Sequence, residues 1–145
     1  MVKRGGRRAI CNYFETIDLR KISTQGLVKI RNTWTKQLVR DYEIAWGPAR
    51  KAVNLFLRDL SYNFMTRKEY GLSKHDEDLE VPLDGKVMTR IRAEAHDTNL
   101  DRTTVIALTE EMSEKYQLAA LKIAKQQKKV YRVDLDLQWW SARSE

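Results

Sequence analysis

Cysteine occurs once in this 145-residue chain, as Cys11. A single thiol forms no internal disulfide and cannot hold an iron–sulfur cluster or a cysteine zinc site. Cys11 therefore reads as a small buried apolar residue. Histidine occurs twice, and His75 and His96 stand in separate polar stretches without metal-ligand spacing. No metal and no cofactor are expected. No apolar run approaches the roughly 20 residues that cross a bilayer. The basic start Met1–Arg8 is not followed by the apolar segment of a secretory signal. The expectation is a cytoplasmic chain with no membrane partner. Proline (two) and glycine (six) are scarce, so long stretches are free to be helical and each breaker is informative. No internal repeat or low-complexity segment is present.

What the chain does have is charge and a core-forming share of apolar residues. Hydrophobic residues make up 42% and charged residues 32%, a globular rather than disordered balance. The length fits a single domain, 1–145, with room for one apolar core but not for two independent ones. Lys and Arg number 27 against 20 Asp and Glu, a formal net charge of +7. An excess of that size in a small domain points to a polyanionic partner, bound through phosphate neutralisation that weakens with salt.

The apolar residues recur mostly with a helical period, which makes the expected fold class all-α, a compact helical domain. Leu27, Ile30, Trp34, Leu38 and Val39 mark a helix over about 25–41, with Ser23 or Thr24 as its cap. Val53, Phe56, Leu57, Leu60 and Phe64 mark another over about 49–65. Residues 66–82 read as a long loop. A third helix starts near Asp84 and carries Val87, Met88 and Ile91. A fourth spans about 110–128, capped by Thr109, with Met112, Tyr116, Ala119, Ile123 and Ala124 inward. The tail alternates like a strand at Val133, Leu135, Leu137 and Trp139, yet Val130, Val133, Leu137 and Trp140 also form one helical stripe. A lone strand would have no partner among these helices, so a closing helix is expected, with Trp139 and Trp140 as core plugs or lid residues.

The segment Asp41–Asn54, DYEIAWGPARKAVN, joins two of these helices through a very short turn. Gly47 can take a positive φ and let backbone approach a ligand closely. Pro48 suits the first position of a helix. The amides that open the following helix, with Arg50 and Lys51 beside them, form an anion site into which a DNA phosphate fits. An ordinary helix–helix turn with surface charges is the plainer alternative.

Gly47–Leu57, GPARKAVNLFL, resembles the hairpin of the helix-hairpin-helix DNA glycosylase superfamily, where a pattern like G-V-G-R-K-T-A-N is usual. Gly47, Arg50, Lys51 and Asn54 match in place. Val81–Val87, VPLDGKV, is similar to the superfamily's V-D-T-H-V segment. The two motifs put the nucleophilic lysine on Lys51 and the catalytic aspartate on Asp84, 84 − 51 = 33 residues apart. That spacing is nearest the archaeal 8-oxoguanine DNA glycosylase branch, here in a shortened form. The tail VDLDLQWW looks like the closing helix of many members. Ala49 replaces the second hairpin glycine, Ala52 the usual Thr or Ser, and Gly85-Lys86 the Thr-His after the aspartate.

The resemblance implies excision of an oxidised or otherwise modified base from double-stranded DNA by cleavage of the N-glycosidic bond, with strand cleavage by lyase chemistry as a further possibility. Asp84 would stabilise positive charge developing on the sugar. It can equally be a plain cap for the helix that starts at Gly85. Lys51 would attack C1′ and form a Schiff base, or merely contact a phosphate. Trp46, Gly47, Ala49 and Arg50 are the expected DNA-binding residues. Trp46 is the aromatic candidate to stack on a flipped base; otherwise it pins the hairpin as a core residue. The alternative function is a non-catalytic helix-hairpin-helix module that only binds DNA.

Overall fold

A computed structural model describes residues 6–128 and 130–142; residues 1–5, 129 and 143–145, and with them the first part of the basic N-terminal segment, lie outside the described residues. Among the described residues the chain is all-α, with eight helices and no strand. The first helix, α1 (Gly6–Thr16), was not anticipated from the sequence. Its Ile10, Tyr13 and Phe14 recur at helical spacing and pack on the core. Cys11 falls to the side of that face and is exposed, which corrects the expectation of a buried thiol.

A short helix, α2 (Lys21–Gln25), holds Ser23 and Thr24 within itself, so neither caps the next helix. The residue before α3 (Leu27–Tyr42) is instead Gly26 at φ 85°, a left-handed angle that suits glycine. Leu27, Ile30, Trp34 and Leu38 all face the core as their spacing requires. Each such side chain contributes about 1.5–3 kcal/mol on burial. α4 (Trp46–Tyr62) ends where Asn63 turns extended and caps α5 (Phe64–Glu69) by accepting from the amides of Met65 and Thr66. That break swings Phe64 off the apolar stripe, and it stands 75% exposed rather than in the core. The expected loop over 66–82 contains the end of α5 and a 3₁₀ turn at Leu72–His75.

Asp84 caps α6 (Gly85–Ala95) and Thr109 caps α7 (Glu110–Lys125). Val87, Met88 and Ile91 of α6 pack against Tyr116, Ala119, Ile123 and Ala124 of α7. The tail closes in a 3₁₀ turn at Arg132–Asp134 and then α8 (Leu135–Ser141). The buried residues there are Val133 and Leu135, while Leu137 and Trp140 are exposed. The single helical stripe fails because regular helix begins only at Leu135.

Buried apolar side chains gather in two clusters rather than one. The first is built mainly by α1 to α4, the second mainly by α6, α7 and the segments flanking them. α4 packs on α3 and also touches α7. The extended segment 79–84 crosses the junction, with Leu79 in the first cluster and Val81 and Leu83 in the second. No helix of the described residues is long and apolar enough to cross a membrane.

Candidate functional site

The turn between α3 and α4 comprises residues 43–45. Glu43, at φ 52°, takes the left-handed conformation there. Gly47 does not: it lies in the first turn of α4, so the expected positive φ belongs to another residue. Helix begins at Trp46, two positions before Pro48, whose missing N–H still falls among the first-turn amides that have no helical acceptor. What approaches Gly47 closely is the protein's own backbone. A Cβ at Gly47 would lie 1.8 Å from the Val105 carbonyl oxygen. The segment before α7 therefore lies against the hairpin, and glycine is required for that contact.

Three further hairpin residues are placed by packing. Ala49 is buried in the first cluster. Trp46 packs against the second cluster, and the Arg50 guanidinium carbon lies 4.9 Å from its ring centroid. This is the hairpin-pinning arrangement, with one face of the indole covered by a cation. Arg50 itself is only 5% exposed. Its Nη2 donates to Asn32 Oδ1 at 2.7 Å, and its Nε lies 3.8 Å from Glu80 Oε2. Arg50 therefore does not present its charge to a phosphate as expected; a guanidinium desolvated this far is tied to an internal carboxylate. Burial pushes its pKa down, with Glu80 opposing that shift.

The next residue, Lys51, points the other way. Its Nζ lies 3.8 Å from Asp84 Oδ2, with the two side chains 35% and 37% exposed. The second oxygen of Asp84, Oδ1, accepts the Val87 amide at 2.9 Å and so fixes the carboxylate at the start of α6. Two residues that stand 33 positions apart thus meet, Asp84 from the N-cap of α6 and Lys51 from the second turn of α4 rather than from the helix opening expected for it.

Two turns along the same face of α4, Arg58 Nη1 contacts Asp136 Oδ2 of α8 at 3.2 Å. Burial raises the Asp136 carboxyl above its ordinary value; Arg58 and Lys51 oppose the shift and Asp84 adds to it. Asp84 and Asp136 therefore share one electrostatic neighbourhood. Both line a shallow cleft of only about 20 Å³ together with Lys86, Val87, Arg90, Trp139 and Trp140. Lys86 Nζ lies 5.7 Å from the Trp140 ring centroid, and the Arg90 guanidinium carbon 6.0 Å from that of Trp139. Trp139 is half-buried and Trp140 is 58% exposed, so Trp140 is no core plug.

Larger hollows lie elsewhere, between α6 and α7 around His96 and over the start of α3 around His75. None of their polar lining residues is buried. The cleft at Asp84 differs in that one of its two carboxylates, Asp84, also faces the Lys51 amine, and the other, Asp136, is perturbed by burial.

Sequence reasoning missed Asp136 and the residues that hold the approach to Asp84. Segment 79–84 is gripped through its backbone. Arg132 donates to the carbonyls of Leu79, Glu77 and Asp78, and Gln117 both donates to and accepts from Val81. Glu80 faces the other side, 3.3 Å from Arg31 and hydrogen-bonded by Asn54 at 2.9 Å. The available signals were Glu80 interrupting the apolar run LEVPL, and Asp136 alternating with leucines in LDLQ. Among the described residues no cluster of His, Cys, Asp or Glu has the arrangement of a metal site.

Comparison of the chain with protein-family models, with curated proteins and with solved structures finds no match.

Proposed function

We propose that this chain is a helix-hairpin-helix DNA glycosylase, acting in the cytoplasm on double-stranded DNA and excising an oxidised or otherwise modified base. The observation that carries the reading is the Lys51–Asp84 pair: 3.8 Å apart, each side chain about one-third exposed, one orientation fixed by a helix cap. A purely internal ion pair would be closed to solvent, as Arg31–Glu80 is.

In this reading the target nucleotide swings out of the duplex and its sugar meets the pair. The Lys51 amine attacks C1′ in its neutral form, having lost its proton to solvent, while Asp84, 3.8 Å away, stays ionised. The glycosidic bond breaks, and its electron pair leaves with the base, which takes up a proton. Positive charge on the sugar is strongest in the transition state, where the fixed Asp84 carboxylate opposes it. Opening of the sugar gives a Schiff base on Lys51, from which elimination cleaves the strand on the 3′ side. Asp136, paired with Arg58 and lining the same shallow cleft as Asp84, can accept a hydrogen bond from a group brought to its mouth. The net charge of +7 supplies salt-sensitive attraction to the phosphates.

The test is covalent trapping. Duplex DNA carrying an abasic site or a modified base is incubated with the protein and borohydride. The expected result is an adduct that Lys51→Ala abolishes, with base release from at least one member of a lesion panel. One observation favours a second reading, a module that only binds DNA: Asp84 is an N-cap, and capping needs no chemistry. That reading predicts salt-sensitive duplex binding, no adduct, and unchanged affinity in Asp84→Asn.

A further inference from the structure

We propose that Glu80 is a positioning residue for the Lys51–Asp84 pair, an inference that rests on the glycosylase reading. Asp84 is carried by an extended segment, 79–84, that belongs to no helix or sheet. Such a segment must satisfy its backbone polar groups some other way. Here α7 and the 3₁₀ turn before α8 do it: Gln117 takes both polar groups of Val81, and Arg132 takes the carbonyl of Leu79 at 2.9 Å. These contacts tie the segment to the second half of the molecule. They do not tie it to α4, where Lys51 sits.

Glu80 makes that second tie. Its Oε2 accepts from Asn54 Nδ2 at 2.9 Å and lies 3.8 Å from Arg50 Nε, while Oε1 lies 3.3 Å from Arg31 Nη2 on α3. Asn54 follows Lys51 by three residues and Arg50 precedes it by one, so the Glu80 contacts bracket Lys51 on its own helix. Toward the other member of the pair, Glu80 precedes Asp84 by four residues across Val81, Pro82 and Leu83, all buried. A slip of α4 along this segment would move Nζ relative to the capped carboxylate. Arg31 and Arg50 are both more than nine-tenths buried, and Glu80 is the carboxylate in contact with both. Other charges act from farther away: Arg132 on the same side, and Glu110 and Glu114 on α7 facing Arg50. Without the Glu80 charge the two guanidiniums repel across the α3–α4 contact.

The discriminating variant is Asn54→Ala, which removes the one hydrogen bond from α4 to Glu80 and leaves both ion pairs, the longer 3.8 Å one from Arg50 on α4 included. Misplacement near 1 Å costs up to about a hundredfold in rate. The expected result is adduct formation at saturating abasic duplex slowed by about tenfold or more, a displaced pH–rate profile, and duplex affinity held within about twofold. Thr35→Ala is the control. It removes a buried hydroxyl bonded to the Arg31 carbonyl without touching Glu80, and it lowers melting temperature while leaving the rate unchanged. Glu80→Gln extends the series if it folds; Asn54→Ala decides the matter if it does not. Hydrogen exchange supplies a readout independent of activity: Asn54→Ala should lower protection of the Val87 and Val81 amides by about tenfold more than Thr35→Ala does. Equal effects of the two variants on both rate and exchange would overturn the proposal. A wild-type protein that forms no adduct and releases no base would end the glycosylase reading, and a selective exchange loss in Asn54→Ala would then still show that Glu80 sets the Asp84 cap.

Discussion

Asp84 does two things that one substitution can separate. Its Oδ1 caps α6 by accepting the Val87 amide at 2.9 Å, and its Oδ2 faces Lys51 Nζ at 3.8 Å. Asparagine caps a helix about as well as aspartate, whereas alanine loses the cap at a cost of about 1 kcal/mol. The ion pair is about one-third exposed on both sides, so screening limits its worth to about 0.2–1 kcal/mol. Asp84→Asn should therefore lower stability by less than about 1 kcal/mol, and Asp84→Ala by about 1–2 kcal/mol. At roughly 2–4 °C per kcal/mol for a chain of this size, those are shifts under about 4 °C and of about 2–8 °C. Losing a fixed group that opposes transition-state charge costs about a hundred- to a thousandfold in rate. Both variants should lose that much single-turnover base release, with the asparagine form nearly as stable as wild type. The assays are urea or thermal unfolding alongside excision from a duplex at saturating protein. Retention of wild-type excision by Asp84→Asn, with losses in Asp84→Ala that follow its stability alone, would refute the catalytic assignment and leave Asp84 a cap.

The remaining predictions concern packing, burial and titration. Gly47→Ala should destabilise by about 2 kcal/mol or more, because its Cβ would meet the Val105 carbonyl oxygen at 1.8 Å and overpacking outweighs the gain in helix propensity; Gly85→Ala, which meets nothing within 4 Å, is the control in the same unfolding assay. Arg50→Met should cost about 3 kcal/mol by leaving Glu80 one buried partner short, yet leave the salt slope of DNA binding unchanged, since a buried guanidinium neutralises no phosphate. Carboxyl NMR should find the Asp136 midpoint above the usual aspartate value, raised further by Arg58→Met or Lys51→Met and lowered by Asp84→Asn. With the folded pKa above the unfolded one, ionisation of Asp136 opposes folding. That penalty is fully present above the folded midpoint and fades as pH falls through it.

Much of the helix layout was legible because burial of one face imposes a period on sequence. α3, α6 and α7 follow from the spacing of Leu27 to Leu38, Val87 to Ile91 and Met112 to Ala124, and the caps Asp84 and Thr109 follow from local hydrogen-bond chemistry. Capping at Gly26 and the break at Asn63 were less legible, since each turns on a local backbone angle that leaves no mark on the apolar period. Asp84 sits in a recognisable start signal, Asp84-Gly85, whereas Gly47-Pro48 marked the start of α4 later than Trp46, where it falls, and Lys51 lies in the second turn.

Distance in space was not legible in the same way. That Lys51 reaches Asp84 while its neighbour Arg50 turns inward to Glu80 depends on which face of α4 meets the first cluster, and about 100° separates adjacent residues on a helix. Asp136 reaches the same cleft only because the chain brings α8 to Arg58 of α4, a contact across 78 residues that no local pattern encodes. Sequence by itself determined helical periods, caps and net charge, all properties of neighbours along the chain. Tertiary structure alone decided which charges are desolvated and which face one another, because burial and Coulomb energy depend on separations in space that packing sets.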